Sequence, residues 1–473
     1  MPTKPKTPRK KKAVAAPSEA AAPATLTGPP AYSFNILDTD ADIMDVSMQL
    51  LHSLSEKEKN KPAGFRTMAQ VRQHMVPFRN FYYQNGWGSY GLPQSGVMDI
   101  IGGENIGKST LAMTQVGWAM MAGCPTLVLE SEAKALAPER VLRCLSTDPA
   151  QAVKMLRHIW WDKIRTLEEM DDKITKWVGV MRGKLVGDNK LSVCVAKDTP
   201  LVVVVDSWSK LMSPDEAKGF YDYGKNMDPE EKKKFKATGT ASNLGHSKFA
   251  AHWCRRLPAF LDDNNVVLIL IHHQTDKIDM SGGVTSFMSA ETSALYNKNH
   301  VGGRSINQNA AMQVILARKS LAKDAQNNPT GTIIRARIDK NSFGPVNRTM
   351  EWELRNEHKR DTSTYLEPAI IFDNAMATWM ADNRLLGVTV NLRRYSCERL
   401  GLVGASAEEL CALFHANRDL MDELGRQRGI VGYNNVIDTI DAHQKKVAEE
   451  AAAAGEDNAS QPEENPDEAS PGA

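Results

Sequence analysis

Val97-Met98-Asp99-Ile100-Ile101, then Gly102-Gly103-Glu104-Asn105-Ile106-Gly107-Lys108-Ser109-Thr110, then Leu111 to Ala122, is the stretch on which the reading of this chain depends. An apolar run of strand length feeds a glycine-bearing turn, and the turn opens a helical stretch. Residues 102–110 match GxxxxGK[ST] in full, in the strand–turn–helix setting that the pattern requires. Glycines there let backbone N–H groups turn inward around a chain of phosphates, and the helix N-terminus adds a dipole of the right sign. Lys108 then serves as a point charge on the β- and γ-phosphates, while Ser109 offers its hydroxyl to Mg²⁺. A glycine-rich turn entering a helix with no ligand is the alternative. Strand, motif and helix in register favour a nucleotide site built from Gly102, Gly103, Glu104, Asn105, Ile106, Gly107, Lys108, Ser109 and Thr110.

Further along, Leu201-Val202-Val203-Val204-Val205-Asp206 ends an apolar strand in a carboxylate suited to the Mg²⁺ shell. An Asp in that place also caps helices, so its weight comes from the phosphate loop upstream. Glu130 and Glu132 follow the apolar run Pro125 to Leu129, and carboxyl ends of strands in an open parallel sheet line the ligand crevice. One of them is placed to polarise an attacking water as a general base, with a solvated acidic turn as the competing reading. Val266 to Ile271 ends in His272-His273-Gln274, a polar end able to meet a γ-phosphate by hydrogen bonding. Adjacent histidines on a strand point to opposite faces, which argues against a zinc pair.

The pattern predicts strands at Val97–Ile101, Pro125–Leu129, Leu201–Val205, Val266–Ile271, Met312–Ala317, Thr332–Ile338 and near Arg348–Leu354. Helices are predicted at Lys108–Ala122, Pro138–Leu145, Leu167–Leu185 and Lys248–Leu261. Short β-branched runs alternating with helices indicate an α/β fold with a mainly parallel central sheet and flanking helices. Runs as apolar as Leu201–Val205 must be covered on both faces.

These residues, taken together, resemble the RecA-type recombinases, most closely the divergent RecA-like proteins of large bacteriophages. Gly91-Leu92-Pro93 is similar to the family's GLP segment, Glu130-Ser131-Glu132 to its Asp-Ala-Glu triplet, and Asp206-Ser207 to its Asp-Ser. Gln274 matches a glutamine after a strand, and Gly302-Gly303 the glycine pair closing the second DNA-binding loop. The resemblance runs over roughly Gly91 to Leu354. It implies a RecA-like P-loop ATPase core with ATP and Mg²⁺ as cofactors, Glu132 as the catalytic carboxylate, and Gln274 coupling nucleotide state to DNA. It also implies two DNA-facing loops, at about 213–247 and 275–301. The first contains Lys232, Lys233, Lys234 and Lys236, and the second contains Phe287, Met288 and Lys298, with Gly302, Gly303 and Arg304 at its close. Basic groups neutralise phosphates and apolar ones stack on bases, the combination used for single strands; a solvated helix face is the other reading of Glu230–Lys236. Basic residues acting in trans on a neighbour's ATP are sought at Lys340, Arg335 and Arg337, of which Lys340 alone resembles the family motif. Arg140 falls where the family has an adenine-stacking aromatic, so a guanidinium plane is expected to meet the base. Asn307 and Gln308 depart from the family's basic and aromatic pair.

Of the 473 residues, 58 Lys+Arg stand against 57 Asp+Glu, a net charge of +1 that hides opposed ends. Lys4 to Lys12 form a basic Pro/Ala-rich head (residues 1–31) and Glu449 to Glu468 an acidic tail (447–473), both expected to be disordered. Between them are expected an N-terminal helical oligomerisation segment (32–85), the ATPase core (86–385) and a small helical C-terminal module (386–446). Apolar runs fall far short of the roughly 20 residues of a spanning helix, which points away from the membrane. Six scattered cysteines argue against a disulfide framework or zinc, and a reducing, cytoplasmic compartment is expected. The resulting expectation is a DNA-dependent ATPase that forms helical homo-oligomeric filaments on single-stranded DNA and pairs it with double-stranded DNA. Single-strand-binding or mediator proteins are further implied partners. A hexameric helicase with the same core, or a nucleotide-regulated recombination mediator, are the alternatives.

Overall fold

The computed structural model describes residues 75–132, 137–183, 195–213, 249–276, 298–300, 306, 308–323, 326–355 and 365–432. Near the start of this region, strands β1 (Met75–Pro77) and β2 (Gly91–Pro93) pair antiparallel. A ten-stranded sheet follows, formed by β3 (Val97–Gly102), β4 (Thr126–Glu130), β5 (Ile159–Lys163), β6 (Leu201–Asp206), β7 (Val266–Asp276), β8 (Lys298–His300), β9 (Ala310–Lys323), β10 (Pro329–Asn341), β11 (Thr349–Arg355) and β12 (Ile370–Ile371). Its order is β12-β11-β10-β9-β3-β7-β6-β4-β5, with β8 attached to the far end of β7. Pairings from β9 through β3, β7, β6 and β4 to β5 are parallel; those among β9 to β12 are antiparallel. The chain is therefore mixed α/β with a large, mostly parallel sheet and flanking helices, as the alternation of strands and helices predicted.

The all-apolar run Val202 to Val205 is explained by what covers it. Val202 and Val204 join one buried cluster with Leu111, Ala112 and Val116 of helix α2 (Lys108–Met121). Leu201, Val203 and Val205 join a second with helix α5 (Leu167–Met181) and helix α6 (residues 249–264). Period-2 alternation thus sorts one strand into two cores. Between α2 and its neighbour α3 (Pro138–Leu145) the backbones approach closely: a Cβ on Gly117 would lie 2.8 Å from the Cys144 and Leu145 carbonyl oxygens.

Several elements differ from the pattern reading. Strand β5 has the half-exposed sequence Ile-Trp-Trp-Asp-Lys and lies at the sheet edge, so it lacks the apolar run that marks the central strands. Helix α4 (Pro149–Leu156) is short and buries only Ala152 and Met155. Helix α1 (Phe81–Trp87) is buried on nearly every side and so shows no amphipathic stripe; Asn80 caps it by accepting from the Tyr83 N–H. Residues 75–85, expected within the N-terminal segment, belong to the same compact unit as the sheet. The segment from 386 onward, expected to be purely helical, also carries a three-stranded sheet of β13 (Thr389–Asn391), β14 (Arg394–Cys397) and β15 (Leu402–Ala405). Its helix α7 (Ala407–Ala416) is closed by a Ser406/Glu409 capping box. Phe414 of α7 packs edge-on against Phe81 at 5.2 Å, in the same buried cluster as α2 and β3. The tails, residues 32–74 and residues 433–446 of the C-terminal module lie outside the described residues. Among the described residues, no helix is long and apolar enough to cross a membrane.

Candidate functional site

Parallel strands that enter the sheet in one direction bring their carboxyl ends to one edge, and the register places specific residues side by side there. Gly102 lies beside His273, and Glu130 beside Asp206. The loop after β3 turns through Asn105 (φ +56°) and Gly107 (φ +81°), the left-handed conformation glycine tolerates best, and α2 begins at Lys108. Gly102 sits in a crowded spot, since a Cβ there would lie 2.1 Å from Ile106 Cδ1, which would have to move, and 3.0 Å from the Leu316 carbonyl oxygen. Gly103 faces open space, with no atom within 4 Å of where a Cβ would stand.

Lys108 is buried, and its Nζ donates across that loop to the Gly103 carbonyl at 2.5 Å. Burial lowers its pKa, opposed by the nearby charges of Asp206, Glu132 and Glu104. Ser109 donates to the Asp206 carboxylate, whose pKa is raised, chiefly by burial and in part by Glu132. Glu130 is also raised, by burial first and then by Asp206, and its Oε2 lacks a hydrogen-bond partner among the described residues. Glu132 behaves differently. Burial works to raise it, but hydrogen bonds from His273 and Ser207 outweigh that and hold its carboxyl below the ordinary range. His273 Nε2 lies 2.6 Å from Glu132 Oε1, and Ser207 Oγ donates to the same oxygen at 3.1 Å. A cavity of about 270 Å³ opens from Ser109, Glu130 and Asp206 down between the helices, walled by Met113, Val141 and Trp161.

The residues present fit a Mg²⁺-nucleotide. Among the described residues, no group of three or more His, Cys, Asp and Glu forms a metal cage. Mg²⁺ is ordinarily held by one or two protein oxygens together with substrate phosphates and water, a set to which the Ser109–Asp206 pair beside the loop would contribute the protein oxygens.

Gln274 stands at the end of the core part of β7, paired with His300 of β8, and Asp276 pairs with Lys298. The ends of the expected second loop are thereby brought together. Lys232, Lys233, Lys234, Lys236, Phe287, Met288, Gly302, Gly303 and Arg304 lie outside the described residues. Arg140 occupies the first turn of α3, but Pro138 and Val141, its neighbours, line the cavity. Its Nε has no hydrogen-bond partner among the described residues. The three candidates for action in trans lie on β10, away from the carboxylates. Arg335 pairs with Glu351 at 2.6 Å, Arg337 with Asp339 at 2.5 Å, and Lys340 donates to the Gln308 carbonyl at 3.0 Å. From the sequence, His273 is read as part of a polar strand end able to meet a γ-phosphate, and Ser207 and Ser209 are given no site role of their own. The signal for the two serines is positional: they directly follow β6, whose end holds Asp206.

No protein-family model matches this chain, and no curated protein does.

Proposed function

We propose that this chain is an ATP-dependent DNA recombinase with a RecA-like P-loop core, assembling as filaments on single-stranded DNA and promoting homologous pairing and strand exchange. The observation that carries this reading is the convergence of Lys108, Ser109, Asp206 and Glu132 on one sheet edge, directly beside the strand that carries Gln274. Residues from four segments, Lys108, Glu132, Asp206 and Gln274, meet there beside the glycine-bearing loop.

The loop N–H groups and Lys108 bind the phosphates, Lys108 exchanging its contact with the Gly103 carbonyl for the ligand. Mg²⁺, held by Ser109 and Asp206, supplies neutralisation of the phosphate charge when bound. Glu132 is ionised near neutral pH because its hydrogen bonds favour the carboxylate. Oε1 is occupied by His273 and Ser207, so Oε2 is the atom that takes a proton from the attacking water. Gln274 lies between this edge and the paired ends of β7 and β8, where nucleotide state can bias a DNA-facing segment.

The test is imaging of the full chain with ATP and single-stranded DNA, alongside ATP hydrolysis with and without that DNA. Helical filaments and DNA-stimulated hydrolysis are expected. Closed rings that unwind forked duplex would replace this reading with a helicase, and DNA binding indifferent to nucleotide would replace it with a mediator.

A further inference from the structure

Strand β7 ends in two histidines that face opposite ways. His272 turns inward, where its Nε2 stands 3.4 Å from Asp99 Oδ1, both side chains buried, and Gln313 Nε2 donates to the other oxygen of Asp99 at 3.1 Å. His273 turns to the other face and meets Glu132. Glu132 itself follows the end of β4 and sits outside any helix or strand, with its side chain about one-third exposed. A carboxylate in that position has free rotamers unless something holds it.

The hold is a hydrogen-bonded bridge across three strand ends. The His273 backbone N–H donates to Ser209 Oγ at 3.0 Å, and its ring reaches Glu132 Oε1 at 2.6 Å. Ser207 Oγ donates to that same oxygen, while Ser131 Oγ donates to the Ser207 carbonyl at 2.8 Å and accepts from the Ser207 N–H at 3.0 Å. One oxygen of Glu132 is therefore fixed twice, from β7 and from the turn after β6, and the other is left for a water molecule. Because β7 continues through Gln274 into its pairing with β8, any displacement of that strand end carries the imidazole and, through it, the carboxylate.

We propose that His273 is a positioning residue: it orients Glu132 as the general base and ties that orientation to the end of β7. This rests on the ATPase reading above. A carboxylate displaced by about 1 Å from its working geometry loses on the order of 100-fold in rate.

The experiment is a set of full-length variants assayed for ATP hydrolysis with single-stranded DNA: His273→Ala, His273→Gln, Glu132→Gln and His273→Ala/Glu132→Gln. His273→Ala is expected to lower kcat by about 10- to 100-fold with KM for ATP changed less than twofold. His273→Gln, which keeps a donor at similar reach, restores most of the lost kcat. In the Glu132→Gln background the histidine substitution has no further effect, because its target no longer acts as a base. Multiplying losses in the double variant, or a raised KM with unchanged kcat, overturns the proposal while leaving the ATPase reading intact. Absence of hydrolysis by the wild-type chain overturns both. Thermal unfolding of Glu132→Ala, His273→Ala and the double variant reads the contact without hydrolysis. Coupled shifts in Tm are expected, and additive shifts overturn it.

Discussion

The parallel and antiparallel halves of the sheet handle charge in opposite ways. Along β9 to β11 every cation named above has an answering group in the same chain. Glu351 takes both Lys319 at 2.8 Å and Arg335 at 2.6 Å, Arg337 meets Asp339, and Arg355 meets Glu353 at 2.9 Å and Glu367. At the carboxyl edge of the parallel half, Glu130, Glu132 and Asp206 crowd together with Lys108, and burial or mutual repulsion pushes Glu130 and Asp206 upward. Charge that is matched locally holds a structure together. Like charge brought together on rigid strand ends is unfavourable in isolation and becomes favourable when a counter-charge arrives. A magnesium nucleotide carries both signs needed, so the contrast is the one expected if the proposed ligand site lies at the parallel edge and the antiparallel half is scaffold.

The contrast can be broken by mutation. Lys108→Ala is expected to produce the largest effect, with hydrolysis falling by about 1,000-fold as the developing charge loses its pre-placed cation. Hydrolysis retained in that variant would mean the loop is not the phosphate site. Glu132→Gln should lower kcat by about 100- to 10,000-fold while fluorescent nucleotide still binds; lost binding would assign Glu132 to holding the ligand.

Smaller effects sharpen the other half. Arg335→Ala removes one half-exposed ion pair and should cost at most about 1 kcal/mol of stability, with hydrolysis unchanged. Lys340→Ala should lower DNA-stimulated hydrolysis if Lys340 acts on a neighbouring protomer's nucleotide, with hydrolysis in the absence of DNA as the control measurement. If the arginine variant loses hydrolysis and the lysine variant does not, the matched cations are functional and the contrast fails.

The smallest expected change is in pH dependence. Burial acts to raise Glu132, and the bonds from His273 and Ser207 bring it below its ordinary value of 4.5. A carboxyl lowered on folding adds stability that is present above its unfolded value and lost as pH falls through the folded one. The acid limb of kcat should follow the same lowered value, and His273→Ala should move it to higher pH. A limb that does not move would separate Glu132's ionisation from the histidine.

Much of this was legible in residue order alone. GxxxxGK[ST] between an apolar run and a helix fixed the loop, and Leu201–Asp206 identified a doubly covered strand with its carboxylate at the right end. Those signals are local: crowding at Gly102, left-handed backbone at Gly107 and the burial of alternate faces act over a few residues. Helix α1 was not legible, because an element buried on all sides carries no stripe. Edge strand β5 was hidden by its exposed Trp160 and Trp161.

By itself, then, the sequence determined the glycine-bearing loop between strand and helix, the alternation of strands and helices, and which carboxylates follow the strands. Only the tertiary structure decided that burial raises the pKa of Glu130 while hydrogen bonds lower that of Glu132, that His273 rather than His272 reaches Glu132, and that Arg335 and Arg337 pair with carboxylates of their own chain. Glu132 meets His273 from 141 residues away, His273 meets Ser209 from 64, and Arg335 meets Glu351 directly across β10 and β11, so strand order and register are what bring these groups within hydrogen-bonding distance.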